Sequence, residues 1–132
     1  MPDYTEAQAR TNTGGKTEPA YGPNLRAKKL VVRAESYWFV RTNGEPVNPD
    51  GKSNVAWPPP APNALLAPGA APWSLIARWV SQNEIVGGWF YVGYGGTFNL
   101  PDFAWPLSLE YACNDDDRTD NSGWLHVYEN YQ

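Results

Sequence analysis

Cysteine, histidine and methionine each occur once in this 132-residue chain, as Cys113, His126 and Met1. A lone cysteine excludes an internal disulfide and leaves the redox compartment unconstrained. A lone histidine excludes a multi-histidine metal centre, and His126, between Trp124 and Tyr128 on a predicted strand, reads as structural. Charged residues are sparse at 18%, and Lys and Arg number 10 against 14 Asp and Glu. The net charge of −4 lacks the basic stripe that nucleic acid requires. No apolar run approaches the roughly 20 residues of a membrane span, so no membrane insertion is expected. The start, Met1-Pro2-Asp3-Tyr4, has no charged segment followed by an apolar one. The expectation is synthesis in the cytoplasm and a final place outside the cell or on a particle surface, without a secretory signal.

Aromatic residues, proline and glycine are abundant instead: seven Trp, eight Tyr, 13 Pro and 12 Gly. Apolar residues make up 42%, enough for the core of one domain. Residues 1–28 are polar and read as an N-terminal arm, with one helical turn over Thr5–Arg10 and nothing that builds a core. From Lys29 the character changes, and residues 29–132 read as the folded domain. Leu30–Val40 is rich in β-branched and aromatic residues and predicts a strand. Trp73–Val80 alternates, placing Trp73, Leu75, Ala77 and Trp79 on one face. Ile85–Gly93 predicts a short strand pair or a bulged strand. Leu107, Leu109, Tyr111 and Cys113 share a face in the next segment, and Trp124–Glu129 closes the chain with another alternating run. Trp57-Pro58-Pro59-Pro60-Ala61-Pro62 reads as a crossing loop, with a polyproline docking segment as the weaker alternative. Short strands separated by Gly- and Pro-rich turns predict an all-β chain, a β-sandwich or jelly roll.

The segment Asn114-Asp115-Asp116-Asp117-Arg118-Thr119-Asp120-Asn121 holds four carboxylates and two amides in eight residues. Carboxylates crowded this tightly repel one another unless water solvates them or a cation neutralises them. Oxygen donors without His or Cys suit calcium rather than zinc. Asp115, Asp120 and Asn121 offer side-chain oxygens, and the turn at Asp117-Arg118-Thr119 offers a carbonyl. The segment is no EF-hand, because it lacks the Asp-x-Asp-x-Asp-Gly start and the closing Glu. Glu110 and Asp115 are the acids a glycosidase would draw on. No acid lies in an apolar stretch that raises its pKa for general-acid work, so a non-enzyme is expected. Cys113 faces carboxylates and reads as a buried, inert thiol.

In Asn114-Asp115, then Asp120-Asn121-Ser122-Gly123 and a last strand, the chain resembles the calcium-dependent galactose-binding bacterial lectins of jelly-roll type and their related sandwich domains. Leu65–Ile76 resembles that family's loop into a central strand, and Asn48-Pro49-Asp50-Gly51 its early loop beside the metal. The likeness spans residues 29–132. It implies one Ca2+ bridging protein and sugar, with two vicinal sugar hydroxyls completing the shell. The implied ligands are the Asp115 carboxylate, the side chains of Asp120 and Asn121, a carbonyl near Arg118 and a backbone carbonyl near Tyr37. Asn48 falls roughly where the family's sugar-binding His would be, and Gly51 or Lys52 where its Gln would be. Asn48 and Asp50 are the expected sugar-binding residues of that early loop, and Trp38, Phe39 or Trp57 is the expected stacking platform. The loop is two residues shorter than the family's usual one, Asp116 and Asp117 are extra acids, and the family's sugar-binding His and Gln have no match.

The expected function is therefore a calcium-dependent carbohydrate-binding, lectin-like domain that recognises surface glycans, galactose-like sugars among them. A homo-oligomer is expected, because repetition multiplies a weak single site. The alternative is a structural or decoration subunit of a larger assembly, such as a phage tail or capsid, with the arm clamping a neighbour.

Overall fold

A computed structural model describes residues 4–18, 27–40, 45–52, 65–82, 84–102, 106–115 and 118–132. Among these residues the chain forms strands and no helix. The strands are β1 (Thr5–Gln8), β2 (Thr13–Gly14), β3 (Lys29–Glu35), β4 (Trp38–Val40), β5 (Glu45–Val47), β6 (Leu75–Ser81), β7 (Glu84–Tyr91), β8 (Gly95–Asn99), β9 (Ser108–Cys113) and β10 (Ser122–Tyr131). One sheet has the order β5-β4-β10-β3-β8, with β1 also paired to β10; the other has the order β2-β9-β6-β7. Every pairing is antiparallel. The expected all-β, sandwich-like architecture is what the chain adopts.

Alternation decides what each sheet contributes to the interior. Leu30, Val32 and Ala34 of β3 and Leu125 and Val127 of β10 are buried in one cluster with Leu75, Ala77 and Trp79 of β6 and Leu109, Tyr111 and Cys113 of β9. Each large side chain taken out of water there contributes about 1.5–3 kcal/mol. Trp124, His126 and Tyr128 alternate with the buried pair on β10. They lie towards solvent, where Tyr4 stacks on His126 at 4.0 Å and Arg33 lies 4.2 Å from the Tyr128 ring centre.

Three local expectations fail for physical reasons. Thr5–Arg10 is not a helical turn. Thr5–Gln8 pairs along Trp124–Val127, and Ala7 and Ala9 lie in the core. A four-residue segment has too little helix-forming cooperativity to compete with an open strand edge. Leu30–Val40 is not one strand either. Ser36 has φ 83°, which breaks the run into β3, paired with His126–Tyr131, and β4, paired with Ser122 and Gly123. Finally, β8 has no counterpart among the predicted strands, because Gly95-Gly96 hides it. Gly95 lies against the Val32 carbonyl with φ 126°, where a Cβ would overlap that oxygen.

The segment beyond β2 ties the two sheets together at the far end of β10. Gly15 N donates to Leu109 O (2.7 Å), and Glu18 N donates to Leu107 O (2.7 Å). Lys16 N and the Tyr111 hydroxyl both donate to the Glu129 carboxylate at 2.7 Å. The Tyr131 hydroxyl donates to Lys16 O at 2.8 Å, and Leu107 N donates to Glu18 Oε2 at 3.3 Å. Residues 4–18, read from sequence as part of an arm, thus take part in both sheets of the sandwich.

Candidate functional site

Three loops converge at the other end of the sandwich, and their junction is Asn114. This residue is fully buried where β9 ends. Its backbone continues the ladder, with Trp73 N donating to Asn114 O (2.6 Å) and Asn114 N donating to Ser74 O (3.0 Å). Its side chain imitates a peptide group: Oδ1 accepts from Ala67 N (2.9 Å), and Nδ2 donates to the carbonyls of Ala67, Ala70 and Ala71 at 3.0–3.1 Å. The loop 65–71 is thereby held against the outer face of β6 and β9, where Ala67 packs with Ile76, Ala112, Leu66, Ala70 and Trp89.

The second loop is residues 48–52. Asn48 Oδ1 accepts from Asp50 N and Lys52 N, both at 3.0 Å, which closes an Asx-type turn. Pro49 O accepts from Leu75 N (2.9 Å), so the turn sits on the start of β6, beside Asn114. Gly51 has φ 83°, and a Cβ there would overlap the Pro72 carbonyl, so this approach requires glycine. Asp50 Oδ1 accepts from the Tyr91 hydroxyl. That bond, with burial second, pushes the Tyr91 hydroxyl up to about 12, so it remains a donor at neutral pH.

The third loop is the acidic one. Asp115 is 7% exposed and Asn121 2% exposed, and Asn121 Nδ2 donates to Asp115 Oδ2 at 3.0 Å. The same Nδ2 donates to Ala9 O at 3.1 Å, in the turn between β1 and β2. Two acceptors fix which way this amide faces, since the reverse orientation would set Oδ1 against both. The amide oxygen is left over: Asn121 Oδ1 is the buried side-chain polar atom without a hydrogen-bond partner among the described residues. Asn121 N donates to Arg118 O (3.1 Å), closing a turn through Thr119 and the exposed Asp120. The Arg118 guanidinium donates to Asn12 Oδ1 through Nη1. Cys113, just before the loop, is buried, and desolvation followed by the nearby Asp115 charge raises its thiol well above the ordinary value. It is inert as a nucleophile at neutral pH.

The sequence-predicted residues therefore divide. Asp115 and Asn121 are in direct contact, and the Arg118 carbonyl and Asp120 belong to the same turn. Asn48 and Asp50 lie in a loop docked at the same end. Tyr37 is 58% exposed and immediately precedes Trp38, the partner of Gly123 at the start of β10. Trp38 cannot be a stacking platform. It is 0% exposed, and its indole donates to Trp73 O at 3.1 Å. Alternation in β4 turns Trp38 inward and Phe39 outward, so the exposed rings near the start of β10 are Tyr37, Phe39 and Trp124. Trp57, Asp116 and Asp117 lie outside the described residues. Two contributors carry no signal in the sequence: Asn114 as the anchor of a distant loop, and Asn12 as the partner of Arg118.

Among the described residues, no group of three or more His, Cys, Asp and Glu side chains converges as a metal-holding set. The oxygens offered at the acidic loop are of mixed kind: the Asp115 and Asp120 carboxylates, the Asn121 amide oxygen and the Arg118 carbonyl. Such a set fits calcium, which accepts carboxylate, amide and carbonyl oxygens together. Comparison with known proteins finds no family model that matches the chain, and no curated protein and no solved structure similar to it.

Proposed function

We propose that this chain is a calcium-dependent carbohydrate-binding domain that recognises surface glycans. The observation that carries this reading is Asn121 Oδ1, buried without a hydrogen-bond partner among the described residues, beside the buried Asp115 carboxylate. A buried unpaired polar atom costs about 1–3 kcal/mol, so natural folds rarely leave one without a use. A hard cation supplies the missing partner and offsets the crowded negative charge. Asp115, Asn121, Asp120 and the Arg118 carbonyl are the residues that would hold it. Calcium left with open positions takes vicinal sugar hydroxyls, and the Asp50–Tyr91 pair offers polar contacts at the same end of the sandwich. The exposed faces of Phe39 and Trp124 suit the apolar side of a sugar ring.

One site of this kind binds weakly, and a homo-oligomer multiplies it. A shallow site fills where calcium is at about 10⁻⁴–10⁻³ M, which favours an extracellular or particle-surface setting. The alternative of an assembly subunit has less support as framed, because residues 4–18 lie on their own sandwich rather than reaching away from it. A glycan array probed with calcium and with chelator tests the proposal. Binding is expected only with calcium, and Asp120→Ala and Asn121→Ala are expected to abolish it while the circular-dichroism spectrum stays unchanged. Binding that persists in chelator would sink it.

A further inference from the structure

The acidic loop carries its own competitor for a cation. Arg118 is the one basic residue between Asn114 and Asn121, with Asp115, Asp116 and Asp117 before it and Asp120 after it. A guanidinium free to turn inward would pair with these carboxylates and occupy the place of a metal ion. It does not do so. Its Nη1 donates to Asn12 Oδ1, and Asn12 Nδ2 donates in turn to Glu110 Oε1 at 3.4 Å. Glu110 is held by Arg78 at 2.6 Å, and Arg78 lies 4.4 Å from the Trp89 ring centre. The Arg118 charge is thus drawn onto the outer face of the four-stranded sheet.

The turn that holds Arg118 also orients the amide. Gln8 N donates to Thr13 Oγ1 (3.0 Å), which closes residues 8–13 into a tight connection between β1 and β2. Ala9 N donates to Gly123 O (3.0 Å) and fixes that connection to the start of β10. From this position Ala9 O engages Asn121 Nδ2, which leaves Asn121 Oδ1 without a hydrogen-bond partner among the described residues. One turn therefore performs two tasks at opposite sides of the same loop.

We propose that the β1–β2 turn is the positioning element of the ion site: Ala9 O sets the Asn121 amide, and Asn12 withholds the Arg118 guanidinium from the carboxylates. The proposal rests on the calcium reading above. It makes Asn12, an exposed residue with no ligand role, a determinant of ion affinity.

Calorimetric calcium titration of the chelator-stripped full chain tests it, with Asn12→Ala, Arg118→Ala and the double variant. Asn12→Ala is expected to weaken calcium binding about fivefold, the weight of one surface ion pair. Arg118→Ala is expected to bind at least as tightly as wild type, and the double variant to match Arg118→Ala, because without the guanidinium there is nothing to withhold. A metal-free readout accompanies it. In the Asn12→Ala background, the effects of Arg118→Ala and Asp120→Ala on melting are expected to become non-additive, having been additive in wild type. An Asn12→Ala variant that binds calcium as wild type does, or a double variant that keeps the Asn12→Ala loss, overturns the positioning role alone. A wild type that takes up no calcium overturns both this proposal and the reading beneath it.

Discussion

The two ends of the sandwich both bury acids, and they treat them differently. β10 is ten residues long, which sets the ends about 30 Å apart. At its far end, Glu129 accepts from the Tyr111 hydroxyl and Lys16 N, and the buried Glu18 accepts from Leu107 N. At its near end, Asp115 and Asn121 hold each other, yet the Asn121 amide oxygen has no partner among the described residues. The far end shows that this chain can satisfy buried carboxylates from its own backbone and tyrosines. The unpaired amide oxygen at the near end is thus a local feature of the acidic loop, since the buried acids among the described residues, Glu18 and Asp115, have hydrogen-bond partners. The same chemistry, an acid beside a strand terminus, serves packing at one end and suits a ligand at the other.

The largest expected effect strikes the scaffold of the near end. Asn114→Ala removes four side-chain hydrogen bonds, to Ala67, Ala70 and Ala71, from a fully buried position. Urea denaturation is expected to show a loss of about 4 kcal/mol, from several buried groups left unpaired. A loss under about 1 kcal/mol would mean that the loop 65–71 is held by packing instead. A smaller effect separates the far end by its pH response. Burial pushes the Glu129 carboxyl above its ordinary range, against the lowering from Lys16 N and the Tyr111 hydroxyl. The folded state therefore binds this proton more tightly than the unfolded chain does. The stability it contributes is full below the ordinary carboxyl range and is lost as pH rises through the raised folded value. Glu129→Gln is expected to remove this part of the decline, so its melting temperature gains on wild type from pH 4 to pH 7. Parallel pH profiles would contradict it.

Much of the framework was legible in local pattern. Leu107–Cys113 and Trp73–Val80 alternate cleanly, and Leu109, Tyr111, Leu75, Ala77 and Trp79 all entered the core. The acidic loop was legible as well, because a strand, a crowded run of oxygens and a second strand leave Asp115 and Asn121 little choice but to meet. What local pattern could not reveal depends on distant partners. Thr5–Gln8 is a strand only because β10 offers it an edge. Asn114 is an anchor only because residues 43–47 positions away bring their backbone to it. Trp38 and Phe39 are equally plausible platforms in sequence, and the break at Ser36 decides which one faces solvent.

The account turns on whether the near end takes a calcium ion through Asn121. The direct measurement is thermal unfolding of the chelator-stripped chain across a calcium series, in wild type and Asn121→Ala. At about a hundredfold excess over the dissociation constant, ligation is expected to stabilise the wild type by about 2.7 kcal/mol. For a domain of this size that raises the melting temperature by about 8 °C, and Asn121→Ala is expected to show no rise. A wild type that melts at one temperature with and without millimolar calcium, or a variant that gains as much as wild type, would contradict the account.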